Sequence, residues 1–140
     1  MKHILLLIFV VVLPLYLNAR SKHATNDTTH QERVDDGIRK ATYYGNNYSE
    51  KRRTANGEVF NKNAMTCASK VHPFGTLLKV TNTKNGKSVV VRVTDRGGFS
   101  SNKIALTYGA WGEIADLAKD GKPDYKAGVL SVKVIILSNS

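Results

Sequence analysis

The amino-acid sequence predicts a mainly β domain, either a closed barrel or a compact sandwich, with one modest helix. Short segments rich in valine, threonine and leucine alternate with connections that contain glycine, the pattern of many short strands. One later segment instead shows the spacing of an amphipathic helix. The part of the chain predicted to fold, residues 38–140, has about the size of one domain.

The clearest predicted element is a hairpin formed by residues 76–83 and 88–94. Asn85 and Gly86 lie between the two segments, and this dipeptide accepts the positive φ angles of a tight turn. The remaining predicted strands are shorter or less regular. They lie at residues 41–44, 58–60, 65–68 and 128–137.

The turn also predicts a register for the hairpin. With Asn-Gly at its centre, Val80 pairs with Val91, and Lys79 lies opposite Arg92. The apolar side chains then share one buried face, as a half-buried hairpin requires. The two like charges favour an opposite face that is open to solvent.

One helix is predicted over residues 108–119, because four apolar residues fall at i, i+3, i+4 and i+7. These residues are Trp111, Ile114, Ala115 and Ala118. Gly121 and Pro123 are expected to end the helix. Because Trp111 belongs to the apolar stripe, we expect it in the core rather than stacked on a ligand.

The N-terminal part of the chain predicts export. Residues 1–19 combine a short basic start, an apolar run and Ala19 as a small residue for cleavage. The run is shorter than the roughly 20 residues of a membrane span, although an uncleaved anchor stays open as an alternative. Residues 20–37 are polar and predict a flexible tether before the domain. We therefore expect a location in the periplasm or cell envelope.

Composition narrows the possible partners and cofactors. The single cysteine, Cys67, lies inside the domain, so it predicts neither a lipoprotein nor a disulfide, and we expect it to pack as a small apolar residue. The formal net charge of +10, outside the cytoplasm, favours anionic wall polymers over nucleic acid. The histidines show no metal-ligand spacing and no phosphate-binding loop is present, so we expect no metal and no cofactor. We expect a monomer.

Two carboxylates on glycine-bearing loops suggest chemistry on a glycan. Glu58 follows Asn56-Gly57, and Asp95 ends a valine-rich segment just before Arg96. Cleavage of a glycosidic bond needs a protonated acid and a nearby negative charge. Taken alone, Glu58 is better explained as a solvated turn residue, and Asp95 could equally pair with Arg96 or cap a loop.

Several motifs together resemble the rare lipoprotein A family, whose members are septal-ring lytic transglycosylases related to expansins. The resemblance covers nearly all of residues 40–137. Its motifs are Ala41-Thr42-Tyr43-Tyr44-Gly45, Thr54-Ala55-Asn56-Gly57-Glu58-Val59-Phe60, Met65-Thr66-Cys67-Ala68, His72-Pro73-Phe74-Gly75-Thr76, Val80-Thr81-Asn82, Asn85-Gly86 and Val91-Arg92-Val93-Thr94-Asp95-Arg96-Gly97.

The resemblance implies a six-stranded double-psi β-barrel with one or two short helices and an open groove. It implies cleavage of peptidoglycan glycan strands, especially those without stem peptides, between N-acetylmuramic acid and N-acetylglucosamine, leaving a 1,6-anhydro end. Glu58 matches the catalytic glutamate and Asp95 the catalytic aspartate. The acid role of Glu58 requires a raised pKa. Tyr44, Ser69 and Arg96 are the expected substrate-binding residues.

Three positions depart from the family pattern. Ser69 stands where a histidine is usual, Ala105 replaces the aspartate of an Asp-Leu-Ser motif, and Gly98 stands where proline is common. A serine cannot shuttle protons near neutral pH as imidazole does. These departures leave a second reading open, a non-catalytic barrel that binds the cell wall.

Overall fold

The computed structural model describes residues 33–49 and 51–138. The predicted export signal therefore lies outside the described residues, as does most of the predicted tether. The first strand begins at Arg33 and so overlaps the last residues of that tether. The boundary between tether and domain stays a prediction.

Six strands and one helix form the described part of the chain. The elements are β1 Arg33–Tyr44, β2 Thr66–Ser69, β3 Leu77–Asn82, β4 Ser88–Asp95, β5 Lys103–Thr107, α1 Tyr108–Ile114 and β6 Leu130–Ser138. The strands close into a barrel in the order β1-β5-β2-β4-β3-β6, and β6 pairs again with β1. The pairs β1–β5 and β2–β4 are parallel. This arrangement confirms the predicted mainly β, six-stranded barrel.

The barrel interior is filled by alternate residues of the strands. Leu78 and Val80 of β3 and Val91 and Val93 of β4 are fully buried, and Trp111 of α1 is buried in the same core cluster. The predicted burial of Trp111 is thus confirmed. Cys67 is also fully buried, as predicted, and burial raises the pKa of its thiol.

The predicted hairpin exists, but its predicted register is wrong by two residues. Leu78 pairs with Val91, while Val80 pairs with Val89. The error comes from the turn, which is longer than a two-residue Asn-Gly turn because the Asn82 amide already bonds to the Lys87 carbonyl at 2.9 Å. A shift of two keeps each side chain on its face, so the predicted buried face is still correct.

The register change also separates the two charges predicted to oppose each other. Lys79 lies opposite Val90, and Arg92 lies opposite Leu77. Arg92 is therefore free of the predicted like-charge contact, and its guanidinium pairs instead with Glu58.

The helix is present but ends earlier than predicted, at Ile114. The Thr107 side chain caps its first turn by accepting from the Ala110 amide. At the other end, the side-chain amides of Asn82 and Asn85 donate to the Ile114 carbonyl at 2.8 and 3.1 Å. The hairpin loop thus satisfies a terminal carbonyl of the helix, and the chain leaves it in an extended conformation.

Two further strand predictions differ from the structure. Residues 58–60 do not form a strand, since only an isolated bridge joins Arg53 to Val59. β5 was missed, because four of its five residues are buried and a strand buried on both faces lacks alternation. In the described residues, no helix has the length and apolar character needed to cross a bilayer.

Candidate active site

Asp95, the last residue of β4, is only 7% exposed and is held by three donors. Its Oδ1 accepts from the backbone amides of Ala55 at 2.9 Å and Arg96 at 2.8 Å. Its Oδ2 accepts from the Tyr44 hydroxyl at 3.3 Å. The loop-capping alternative is therefore observed.

A cleft of about 240 Å³ opens beside Asp95. Its walls come from the end of β1, from β2 and β5, and from the glycine-bearing loop after β4. Among the described residues that line it, Asp95 is the only acidic one, and Arg52 and Arg96 are the only basic ones. The remaining lining residues are Thr42, Tyr43, Tyr44, Tyr48, Ala68, Gly97, Gly98, Phe99 and Ala105.

Tyr44 lies at the end of β1 and lines this cleft. Its ring packs against the rings of Tyr48 and Phe60. Burial and the adjacent Asp95 carboxylate raise the pKa of the Tyr44 hydroxyl, so it stays a hydrogen-bond donor at neutral pH. Tyr44 therefore lies at the cleft, where a groove residue was expected. Its contact with a sugar stays a prediction.

Glu58 is exposed, and its carboxylate is engaged by an arginine. Arg92 Nη1 and Nη2 donate to its two oxygens at 2.7 and 2.9 Å, and the Asn56 side chain adds a bond at 2.9 Å. The hydrogen bonds from Arg92 are the main cause that lowers the pKa of Glu58 to about 2. The expectation of a raised pKa is therefore wrong for this conformation, since an exposed, bidentate ion pair favours the anion.

One loop carries Glu58 and docks on the strand end that carries Asp95. The Ala55 amide bonds to the Asp95 carboxylate, and the Asn56 amide bonds to the Thr94 carbonyl at 3.1 Å. Residues 54–58 thus bring both predicted carboxylates to the same end of the barrel. Glu58 is nevertheless absent from the cleft lining, because its side chain turns to Arg92 on β4.

Ser69, an expected substrate-binding residue, is only 1% exposed. Its hydroxyl lies 2.9 Å from Nδ1 of His72 and accepts from the His72 backbone amide at 3.3 Å. A sugar cannot reach this hydroxyl unless the turn changes. The contact of Ser69 with His72 was not predicted, although their three-residue separation is typical of such a turn.

The two arginines of the cleft are each stacked on an aromatic ring. The Arg96 guanidinium lies 3.8 Å from the ring centre of Phe74, and its Nη1 donates to the carbonyl of Ser69 at 2.8 Å. The Arg52 guanidinium lies 3.9 Å from the ring centre of Tyr48. Arg96 was among the expected substrate-binding residues. Arg52 was not predicted, because no local sequence pattern indicates that an arginine will stack on a ring.

Ala105 stands where the family pattern has a third carboxylate, the aspartate of Asp-Leu-Ser. It lies on β5, between Thr42 of β1 and Ala68 of β2, and all three residues line the cleft. A carboxylate at this position would project toward the space beside Asp95. The cleft therefore has one carboxylate fewer than the family pattern predicts.

A larger depression of about 760 Å³ lies elsewhere, around residues 117–126. None of the predicted site residues lines it. We place the candidate site at the smaller cleft, because that one contains a nearly buried carboxylate with fixed donors around it. Within residues 33–49 and 51–138, no group of three His, Cys, Asp or Glu side chains is arranged to hold a metal.

Comparison with known sequences gives a consistent result. Residues 38–134 match the family described as lytic transglycolase. A probable endolytic peptidoglycan transglycosylase RlpA of Synechocystis sp. is 44% identical over 95 residues, which cover 68% of this chain and 29% of that protein. The endolytic peptidoglycan transglycosylase RlpA of Campylobacter jejuni is 46% identical over 89 residues, covering 63% of this chain and 31% of that protein. The matched region is thus less than a third of each relative.

Solved structures show the same barrel. An expansin variant of Clavibacter michiganensis, in complex with cellohexaose, superimposes with a TM-score of 0.56 at 20% identity, covering 74% of this chain and 50% of that one. A Streptomyces papain inhibitor gives a TM-score of 0.54 at 18% identity, covering 77% and 96% of the two chains. With the strand order, these likenesses confirm the predicted double-psi β-barrel.

Proposed function

Because this chain belongs to the lytic transglycolase family, we propose that it cleaves peptidoglycan glycan strands endolytically and leaves 1,6-anhydro ends. The bond broken joins N-acetylmuramic acid to N-acetylglucosamine. The observation that carries this proposal is the nearly buried Asp95 carboxylate at a cleft, tied through the Ala55 amide to the loop that bears Glu58. A fixed negative charge of this kind suits a reaction whose transition state is positively charged.

The chemistry requires one proton donor and one proton acceptor, and no water. An acid protonates the glycosidic oxygen, and a base takes the proton of the sugar's own 6-hydroxyl as that oxygen closes the anhydro ring. We assign both roles in turn to Glu58, and charge stabilisation to Asp95. In the described conformation the pairing with Arg92 favours the Glu58 anion, so a bound strand has both to separate this pair and to shield the carboxyl from water before Glu58 can carry a proton.

Substitution of the two carboxylates tests the assignment. Glu58→Gln is expected to lower the release of anhydro-ended fragments from stem-peptide-free strands by about 100-fold or more, since it removes the acid and base. Asp95→Asn is expected to lower it too, with the fold retained. Mass spectrometry of the products measures both. Unchanged fragment formation by Glu58→Gln would remove Glu58 from the mechanism.

Glu113→Gln is the matched control. This residue lies on α1, is exposed and does not line the cleft. It is expected to keep the activity of the unmodified chain while raising the net charge by one, as Glu58→Gln does. A loss in this variant would mean that overall charge, and not the site, governs cleavage.

A second candidate function is a non-catalytic barrel that binds the cell wall. It is favoured by the pairing of Glu58 with Arg92 and by Ala105 at the cleft. In that case the protein would sediment with purified wall and release no fragments. Anhydro-ended products would reject it.

The proposed substrate also requires export. We infer that residues 1–19 direct the chain to the periplasm or cell envelope without lipidation, and that the domain acts as a monomer. The apolar run and the internal position of Cys67 support this inference. Cell fractionation and size-exclusion chromatography test it, and a cytoplasmic protein or a stable dimer would contradict it.

A further inference from the structure

Two arginines line the cleft beside Asp95, and the plane of each guanidinium is fixed by an aromatic ring. Arg52 stacks on Tyr48, and Arg96 stacks on Phe74, with separations of 3.9 and 3.8 Å from the ring centres. Stacking restrains the face of a guanidinium but leaves its N–H edge available for other partners. Both edges belong to residues that line the same cleft.

Most donors of these two groups are not used by the described residues. A guanidinium has five N–H donors. Arg96 donates from Nη1 to the carbonyls of Ser69 and Asp95. Arg52 makes its ring contact, and no hydrogen bond from its side chain to a described residue is present. Among the described residues the Asp95 carboxylate forms no ion pair with either guanidinium, and its oxygens accept from Ala55, Tyr44 and the Arg96 backbone, so one positive charge of the cleft stays in excess.

The cleft therefore contains two cations and one anion, and the oxygens of that anion already accept hydrogen bonds from neighbouring groups. Such a site attracts one further anionic group, and a carboxylate fits best because its two oxygens match the fork of a guanidinium. The same cations are needed for another reason. Without them, Asp95 would repel any anionic sugar that approached the cleft.

We propose that Arg52 and Arg96 bind the free lactyl carboxylate of N-acetylmuramic acid. The inference rests on the proposed function for the identity of the polymer. Where a stem peptide is attached, the lactyl group is an amide with no charge and one acceptor oxygen. Where the peptide has been removed, it is a carboxylate. The two arginines would thus distinguish stripped strands from peptide-bearing ones by charge and by bidentate geometry.

Binding measurements on a Glu58→Gln background test this without turnover. The probes are stem-peptide-free strands and the same strands after carbodiimide coupling of their lactyl carboxylates to methylamine. We expect the methylamide strands to bind about tenfold more weakly or worse, as for loss of a charge-assisted hydrogen bond. Arg52→Gln and Arg96→Gln are each expected to weaken the free-carboxylate strands by a similar factor, and to leave the weak binding of methylamide strands unchanged.

Two further variants sharpen the result. Arg52→Lys keeps the charge but loses the fork, so it is expected to restore only part of the affinity. Lys133→Gln removes one positive charge outside the cleft and is expected to bind both probes as the parent does. Should Arg96→Gln fail to fold because its bond to Ser69 is lost, Arg52→Gln carries the test, since that side chain has no such bond.

The outcomes separate this inference from the proposed function. Equal affinity for the two probes, or equal weakening of both by the arginine variants, would overturn carboxylate recognition. Anhydro-ended fragments released equally fast from methylamide strands by the unsubstituted protein would overturn it as well, while leaving the lytic activity intact. Carboxylate-dependent binding without fragments from any strand would reject the catalysis and retain the arginine site.

Discussion

At the scale of single residues, the partner of Glu58 governs what this carboxylate can do. Arg92 holds both oxygens of Glu58, and the pKa of Glu58 is lowered from 4.5 to about 2. A lowered folded-state pKa stabilises the protein at pH values above 4.5, and this stabilisation is lost as the pH falls toward 2. Because the pair is exposed, its contribution is about 1 kcal/mol or less.

Arg92→Gln is therefore expected to return the Glu58 pKa toward 4.5. Titration of the Glu58 carboxyl carbon by NMR measures the change directly. The variant should also lack the part of the acid-induced loss of stability that falls between these two pH values. A Glu58 midpoint that stays near 2 in the variant would show that Asn56, and not Arg92, holds the anion.

Gly45 supplies a second residue-scale prediction. It has a φ of +82°, and an added Cβ would lie 2.2 Å from the ring of Phe60. Gly45→Ala is expected to lower the free energy of unfolding by more than the roughly 1 kcal/mol of backbone strain alone, because the ring must move as well. Urea denaturation measures this.

Gly86→Ala is the matched control, since Gly86 has a φ of +74° but no atom of the described residues lies within 4 Å of the added Cβ. Equal losses in the two variants would contradict the steric contribution of Phe60. The comparison also tests whether the aromatic cluster next to the cleft is rigid, because Phe60 packs on both Tyr44 and Tyr48.

At the scale of elements, the contact between the hairpin loop and α1 links two segments that the sequence presents separately. Asn82 is 1% exposed, and its side chain both donates to the Ile114 carbonyl and accepts from the Lys84 amide. Asn82→Ala is expected to destabilise the fold by about 1–3 kcal/mol, because the Ile114 carbonyl loses the shorter of its two hydrogen bonds and the Lys84 amide loses its acceptor. Thermal or urea unfolding measures the loss.

Asn85→Ala is the comparison for that variant. Asn85 donates to the same carbonyl at 3.1 Å but is exposed, so water can replace it. Its loss is expected to be the smaller of the two. A larger loss at Asn85 would indicate that its bond to Asp116 dominates this junction.

Some features of the strands and the helix could be predicted from the sequence, and others could not. The hairpin was predictable because valine-rich segments flank an Asn-Gly dipeptide, but its register was not, since Asn-Gly fits both a two-residue turn and the longer turn closed by Lys87. The early end of α1 depends on Asn82, which is remote in sequence. β5 escaped prediction because burial on both faces removes alternation.

The candidate site was predictable only in part, for a related reason. Tyr44, Asp95 and Arg96 were among the predicted site residues, and all three line the cleft. The pairing of Glu58 with Arg92 and the stacking of Arg52 on Tyr48 were not predicted, because each joins side chains according to their three-dimensional orientation. No spacing rule along the chain encodes such contacts.

At the scale of the whole molecule, closure of the barrel depends on β6. This strand pairs with β1 on one side and with β3 on the other, so it joins the two ends of the described chain region. Its amides are expected to exchange with solvent only upon global unfolding, with the same opening free energy as those of β3. Hydrogen exchange followed by mass spectrometry measures this. Markedly faster exchange in β6 would mean that the barrel opens locally at that strand.

The bonds around Asp95 determine which substitution gives an interpretable result at that position. Alanine would deprive the Ala55 amide of its acceptor and weaken the docking of the segment that bears Glu58, so a loss of activity would not distinguish the missing charge from a displaced segment. Asparagine can keep Oδ1 for the two backbone amides and turn its NH₂ toward the Tyr44 oxygen. An alanine scan would consequently overstate the importance of Asp95, whereas the isosteric change isolates its charge.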